Sequence, residues 1–207
     1  MTNVLIVDSA ATGSASVSRR LTSALATRFA AAGAEVVRRD VGADPVPHLT
    51  SETVGAIRGT ADTDAGRRTL ALSDRLVAEL QTADTIVIGA PMYNFGISST
   101  LKTWFDHVLR SGVTFRYTAE GVPEGLLGPK QVIVVETRGG AYSQGPAAAM
   151  DAQEPHLRAM LGFMGLTDVR FIRVEGLAMG PAAADAALER ALAEIDSVAV
   201  EPMAAAA

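Results

Sequence analysis

The run Thr85-Ile86-Val87-Ile88-Gly89-Ala90 constrains this chain more than any other stretch. It lacks the apolar-polar alternation of a half-solvated strand, so it must be covered on both faces. Directly after it comes PMYNFGISSTLKTWFD, in which a proline ends backbone pairing and a helical pattern soon begins. The same alternation recurs along the chain. Strands are expected at residues 4–7, 35–39, 85–90, 131–137 and 169–174, and helices at about 18–32, 67–81, 98–109, 148–162 and 182–198. Such βα units, joined by right-handed crossovers, imply an α/β fold: a three-layer doubly wound sandwich on a five-stranded parallel sheet, in the order 2-1-3-4-5.

Two stretches interrupt the rhythm. Residues 40–66 carry turn signals at Pro45 and Pro47 and a weakly helical segment at 51–58, and read as a surface excursion. Residues 112–128, GVTFRYTAEGVPEGLLG, alternate aromatic and polar side chains around glycines and are expected to form a small hairpin or an irregular flap. The alanine-rich end of the chain is expected to fray.

Composition narrows the chemistry. The 207 residues, 48% hydrophobic, suit one domain spanning 1–207. A net charge of -5 with no Lys/Arg cluster gives no reason to expect a nucleic acid partner. With no cysteine, thiolate catalysis, disulfides and iron-sulfur sites are excluded, so redox chemistry must come from a bound cofactor. His48, His107 and His156 stand too far apart for a ligand pattern, so no metal is expected. No apolar run approaches the roughly 18 residues of a membrane span, and residues 1–3 lack a basic leader, which together lead us to expect a cytoplasmic protein without a membrane partner.

Ligands of open α/β sheets bind beyond the carboxyl ends of the strands, where the winding reverses. After the first strand lie Ser9, Thr12, Gly13, Ser14, Ser16, Val17 and Ser18, a hydroxyl-rich loop at a helix N-terminus and so an expected anion site. It has neither GxGxxG nor GxxxxGK[ST], which argues against a pyrophosphate or a nucleoside triphosphate and for a phosphate monoester such as that of flavin mononucleotide, FMN. Ser16 or Ser18 could instead simply cap the helix. After the third strand, Pro91 and Met92 lead to Tyr93, Asn94 and Phe95, two rings and an amide suited to a flat heterocycle, with Gly96 for the tight turn and Ser98 or Ser99 to cap the next helix. After the fourth come Thr137, Arg138, Gly139 and Gly140, where paired glycines let backbone amides approach a ring edge.

These segments resemble the FMN-dependent NADH:quinone oxidoreductases, also called FMN-dependent NADH-azoreductases, of the flavodoxin-like fold. The resemblance spans nearly the whole chain and is strongest in PMYNFGISSTLKTWFDHVLRSGVTFRY and EGLLGPKQVIVVETRGGAY, with LRAMLGFMGLTDV and EGLAMGP adding to it. It implies that Ser9 and Ser16-Val17-Ser18 form a phosphate loop, that Met92 to Phe95 edge the flavin, and that Thr137 to Gly140 stand where the family has SRGG, with threonine replacing serine. It further implies one tightly bound FMN per subunit of a homodimer, NADH or NADPH as donor, and quinones and aromatic azo compounds reduced in a ping-pong cycle. The chemistry would rest on FMN, with no catalytic side chain. Phe115, Tyr117, Tyr142 and Phe163 would line a substrate slot, some of them from the partner subunit; Phe163 alternatively packs in the core. Arg138 is either structural or an electrostatic influence on the ring. The rival readings are a flavodoxin-like electron carrier and a binding module that has lost its cofactor.

Overall fold

The computed structural model describes residues 2–200, so the expected fraying of the tail lies outside the described residues. Its elements are β1 (Asn3–Asp8), α1 (Val17–Ala31), β2 (Glu35–Asp40), α2 (Val54–Ile57), α3 (Asp64–Thr82), β3 (Thr85–Pro91), α4 (Ser99–Val108), β4 (Phe115–Tyr117), β5 (Pro123–Gly125), β6 (Gln131–Thr137), α5 (Gln153–Phe163), β7 (Val169–Val174) and α6 (Pro181–Asp196). The parallel sheet runs β2-β1-β3-β6-β7, the expected 2-1-3-4-5 order once the hairpin strands β4 and β5 are set aside.

Why β3 lies at the centre follows from its residues: Thr85 to Ala90 are all buried, and successive side chains feed opposite cores. Ile86 and Ile88 join Leu5, Val132 and Val134 beneath α3, α4 and α5, whereas Val87 joins Ile6, Ile133 and Val135 beneath α1 and α6. The edge strand β2 carries Glu35, Arg38 and Arg39, charges that discourage pairing with another chain. No helix among the described residues is long and apolar enough to cross a membrane.

Three local expectations require correction. The helix expected at 148–162 divides: a short 3-10 turn at Pro146–Met150 stops at extended Asp151, and α5 starts at Gln153. Asp151 Oδ1 accepts from the amides of Gln153 at 2.9 Å and Glu154 at 3.2 Å, an acidic cap that favours a fresh start there. The excursion after β2 is less superficial than its turn signals imply, since Val41, Val46, Ala56 and Ile57 are buried and His107 Nε2 bonds the Pro47 carbonyl at 3.0 Å. Within it, the helical segment shrinks to α2, and α3 begins at Asp64 behind a Thr63 cap.

Residues 112–128 do contain a hairpin, with Phe115 opposite Gly125 and Tyr117 opposite Pro123. Gly125 is required there, because a Cβ would stand 2.0 Å from the Gly165 nitrogen. The Leu127 amide completes the docking on the Met164 carbonyl at 3.2 Å.

Candidate functional site

The carboxyl ends of β1, β3 and β6 are neighbours in the sheet, so their loops meet. In the first, Ser16 is the N-cap of α1, its Oγ accepting from the Arg19 amide at 3.2 Å and lying 2.9 Å from Ser18 Oγ. The amides of Val17 and Ser18 enter no hydrogen bond among the described residues, as the geometry of a first helical turn dictates. Two amides and the Ser16–Ser18 hydroxyl pair, which keeps one proton free beyond its mutual bond, therefore converge as donors for an anion at the positive end of α1. Ser9 behaves differently: its hydroxyl donates to the Gly89 carbonyl at 2.7 Å and is spent on joining β1 to β3. Arg19 braces the loop from behind through the Ala10 carbonyl at 2.8 Å and an ion pair with Asp40.

The second loop is strained. Tyr93 and Gly96 exchange both backbone hydrogen bonds, at 2.9 and 3.1 Å, which closes a two-residue turn. Its central residues are Asn94 at φ 48° and Phe95 at φ 72°. Gly96, expected to permit the turn, is not among the residues with positive φ. A left-handed asparagine is common, whereas a left-handed phenylalanine costs roughly 1–2 kcal/mol and must be held by its surroundings. The Phe95 carbonyl accepts from the Ala152 amide at 3.0 Å, and its ring meets Tyr142 edge-on at 5.9 Å. The Tyr93 hydroxyl accepts from the Ala11 amide at 3.0 Å, locking this turn to the first loop. Ser98, rather than Ser99, caps α4.

In the third loop the Thr137 carbonyl accepts from Met92 at 2.9 Å, joining it to the second. The carbonyls of Arg138, Gly139 and Gly140 are bonded by Leu177, Ala178 and Gly176 in turn. The amides of Gly139 and Gly140 enter no hydrogen bond among the described residues, which leaves two fixed donors. A Cβ at Gly140 would stand 3.1 Å from the Tyr142 ring, so that ring and the glycine fit together.

Arg138 turns away from this rim and is fully buried. Its Nε bonds Gln153 Oε1 at 3.0 Å, Nη1 bonds Glu175 at 3.0 Å, and Nη2 reaches Glu136 at 2.8 Å and Asp151 at 3.0 Å. Gln153 also donates to the Ala90 carbonyl at 2.7 Å, so one side-chain network grips the ends of both β3 and β6. Burial pushes the Glu136 carboxyl up to about 7, against the pull of Arg138. Hydrogen bonding from Arg173, against burial and helped by Arg158, holds Glu154 down to about 2. Sequence reasoning missed Glu136, Asp151, Gln153 and Glu175; the available signal was a carboxylate inside the apolar run of β6, which a buried strand tolerates only with a partner.

Phe115, Tyr117 and Phe163 form a separate aromatic group, with centroids 4.5 Å apart for Phe115–Phe163 and 6.2 Å for Tyr117–Phe163. Phe163 ends α5, whereas Gln153, beside Arg138, begins it. Ten helical steps put about 15 Å between them. Within one chain these rings do not share the rim with Phe95 and Tyr142. An apolar cavity of about 370 Å³ lined by Val4, Val37, Ala78 and Ala83 lies at the opposite ends of the strands and shares no residue with the three loops.

Residues 2–199 match the flavodoxin-like fold family. Over 201 residues the chain is 51% identical to an FMN-dependent NADH:quinone oxidoreductase of Hyphomonas neptunium, covering 96% of each chain. The chain belongs to this family. The Azotobacter vinelandii member is 47% identical over 203 residues, covering 96% of this chain and all of its own. Among solved structures, an azoreductase from Bacillus anthracis superposes with a TM-score of 0.84 at 30% identity, over 94% of this chain and 97% of that one. In an FMN-dependent NADH:quinone oxidoreductase fold, then, the three loops described above are this chain's carboxyl-end cluster.

Proposed function

We propose that this chain binds FMN at the three converging loops and acts as an NAD(P)H:quinone oxidoreductase that also cleaves aromatic azo compounds. The observation that carries the reading is a set of donors on one sheet end that have no partner among the described residues: the Val17 and Ser18 amides on one loop and the Gly139 and Gly140 amides on another, with the strained Asn94–Phe95 turn between them. These residues fit a phosphate monoester attached to a flat, carbonyl-bearing ring. When bound, FMN would supply hydride acceptance from NAD(P)H and electron delivery to a flat oxidant.

The chain's own residues then have distinct tasks. The Ser16 and Ser18 hydroxyls and the first amides of α1 hold the dianionic phosphate. Asn94 offers donor and acceptor groups to a heterocycle edge, and the Gly139 and Gly140 amides stabilise negative charge arriving on a carbonyl oxygen. Phe95 and Tyr142 exclude water from one side of the slot. Donor and oxidant compete for that slot, which makes the cycle ping-pong.

We further propose a homodimer. The hairpin region exposes Tyr117, Val122 and Leu126, and a second copy would bring the Phe115–Tyr117–Phe163 rings to a slot that they do not share with Phe95 and Tyr142 in their own chain. Steady-state assays of FMN-loaded protein with NADH and NADPH, against one benzoquinone and one azo dye, test the activity. Oxidation of the nicotinamide by both acceptors is expected. A bound flavin that NAD(P)H cannot reduce would instead identify an electron carrier.

A further inference from the structure

Glu136 is a buried charge that the reaction as proposed does not use. It stands one residue before the end of β6, fully buried. One carboxylate oxygen, Oε2, accepts from Arg138 at 2.8 Å, while Oε1 has no partner among the described residues. Two guanidiniums pair with it, Arg138 at its own strand exit and Arg173 on β7; Arg138 is shared with Asp151 ahead of α5, Glu154 on α5 and Glu175 just beyond β7, and Arg158 on α5 pairs with Glu154. Carboxylates outnumber guanidiniums in this group, so it is poised to accept a proton. Burial pushes the Glu136 carboxyl up to about 7, with Glu154 and Asp151 adding to the rise against Arg138.

The cluster is coupled to the slot through the chain and lies beside a solvent-filled cavity. Arg138 leads directly into the Gly139 and Gly140 amides, and the Glu136 backbone lies within about 11 Å of Gly139 along the chain. A cavity of about 570 Å³ lined by Tyr142, Asp151, Glu154 and Arg173 brings solvent to the cluster, where Asp151 and Glu136 share Arg138 Nη2.

We propose that Glu136 is a positioning residue that takes up one proton when negative charge is added at the Gly139–Gly140 end of the sheet and releases it when that charge leaves. The inference rests on the FMN reading. NAD(P)H gives up a hydride, two electrons and one proton, and becomes NAD(P)+. The slot thereby gains one negative charge, and one solvent proton bonds to the Glu136 carboxylate to give the acid. When a quinone takes the hydride it departs as hydroquinone with a second proton from solvent, and Glu136 returns its own proton to solvent. At an effective dielectric of about 20, a unit negative charge roughly 10 Å from a carboxyl raises its pKa enough to change its protonation near neutral pH.

Reduced-minus-oxidised infrared difference spectra of the FMN-loaded protein, with dithionite as reductant near pH 7.5, test this. A carboxylic acid carbonyl band appearing on reduction in the wild type and missing in Glu136→Gln is expected. In parallel, the flavin midpoint potential plotted against pH should bend near neutrality in the wild type and run straight through that region in the variant. A wild type without the band, or a band that persists in Glu136→Gln, overturns the proposal. If Glu136→Gln does not retain FMN, Glu136→Asp replaces it: a displaced band supports the assignment and an unmoved one overturns it. Protein that takes up no FMN removes the functional reading and this inference together, whereas protein that binds reducible FMN but shows no band removes this inference alone.

Discussion

Replacing Ser18 by alanine separates ligand binding from folding at the first loop. The Ser18 hydroxyl is buried and has Ser16 Oγ as its partner at 2.9 Å, with no backbone group depending on it. Ser16, by contrast, caps α1 through the Arg19 amide, so its removal also costs about 1 kcal/mol of stability. A hydrogen bond from Ser18 to a charged phosphate contributes about 1.5–3 kcal/mol. Ser18→Ala should therefore weaken FMN binding by about 10- to 150-fold while leaving the apoprotein's melting temperature nearly unchanged. Ser16→Ala should weaken binding and lower the melting temperature together. Quenching of FMN fluorescence on titration with apoprotein measures the first quantity, and thermal unfolding of the apoprotein the second. A Ser18→Ala protein that binds FMN within twofold of wild type would falsify the assignment of this loop to the phosphate.

Other perturbations address the neighbouring features. Phe95→Gly relieves a left-handed side chain, so the apoprotein should gain about 1 kcal/mol in denaturant unfolding even as FMN binding weakens; a loss of stability would show that the ring's contacts outweigh the strain. Gly125→Ala forces a Cβ into the Gly165 backbone and should destabilise the protein by more than about 3 kcal/mol, which a urea midpoint indistinguishable from wild type would contradict. The raised Glu136 carboxyl contributes stability that is fully present below its unfolded value near 4.5 and is lost as pH rises through about 7. Glu136→Gln, which mimics the protonated form, should gain on wild type by about 3 kcal/mol between pH 4.5 and pH 8, and a pH-independent difference in unfolding free energy would refute the burial argument.

Several structural decisions were legible in the residues themselves. The unalternating run at 85–90 demanded two covered faces, and the repeated βα pattern left few sheet topologies with right-handed crossovers. From that topology the three strand exits had to be neighbours, which groups residues 9–18, 91–95 and 137–140 from the sequence alone. Side-chain chemistry then pointed to an anion and a flat ring. These are local properties, carried by composition and period.

What the residues could not disclose depends on contacts between distant segments. Helix periodicity runs through residues 148–152, but Asp151 is drawn to Arg138 and the chain restarts at Gln153. Gly96 was expected to permit the tight turn; closure of the Tyr93–Gly96 hydrogen bonds places the left-handed strain on Asn94 and Phe95 instead. The aromatic spacing of Phe115, Tyr117 and Phe163 held no information about which slot they could reach, since that depends on the length and direction of α5. Arg138 is the clearest case. Next to two glycines in sequence it could have faced the ring or the core, and only its partners Glu136, Asp151, Gln153 and Glu175, contributed by three separate segments, decide that it holds the loop from behind. Periodicity and turn chemistry act over a few residues, whereas the desolvation and pairing of a buried charge are determined by whatever the completed fold brings around it.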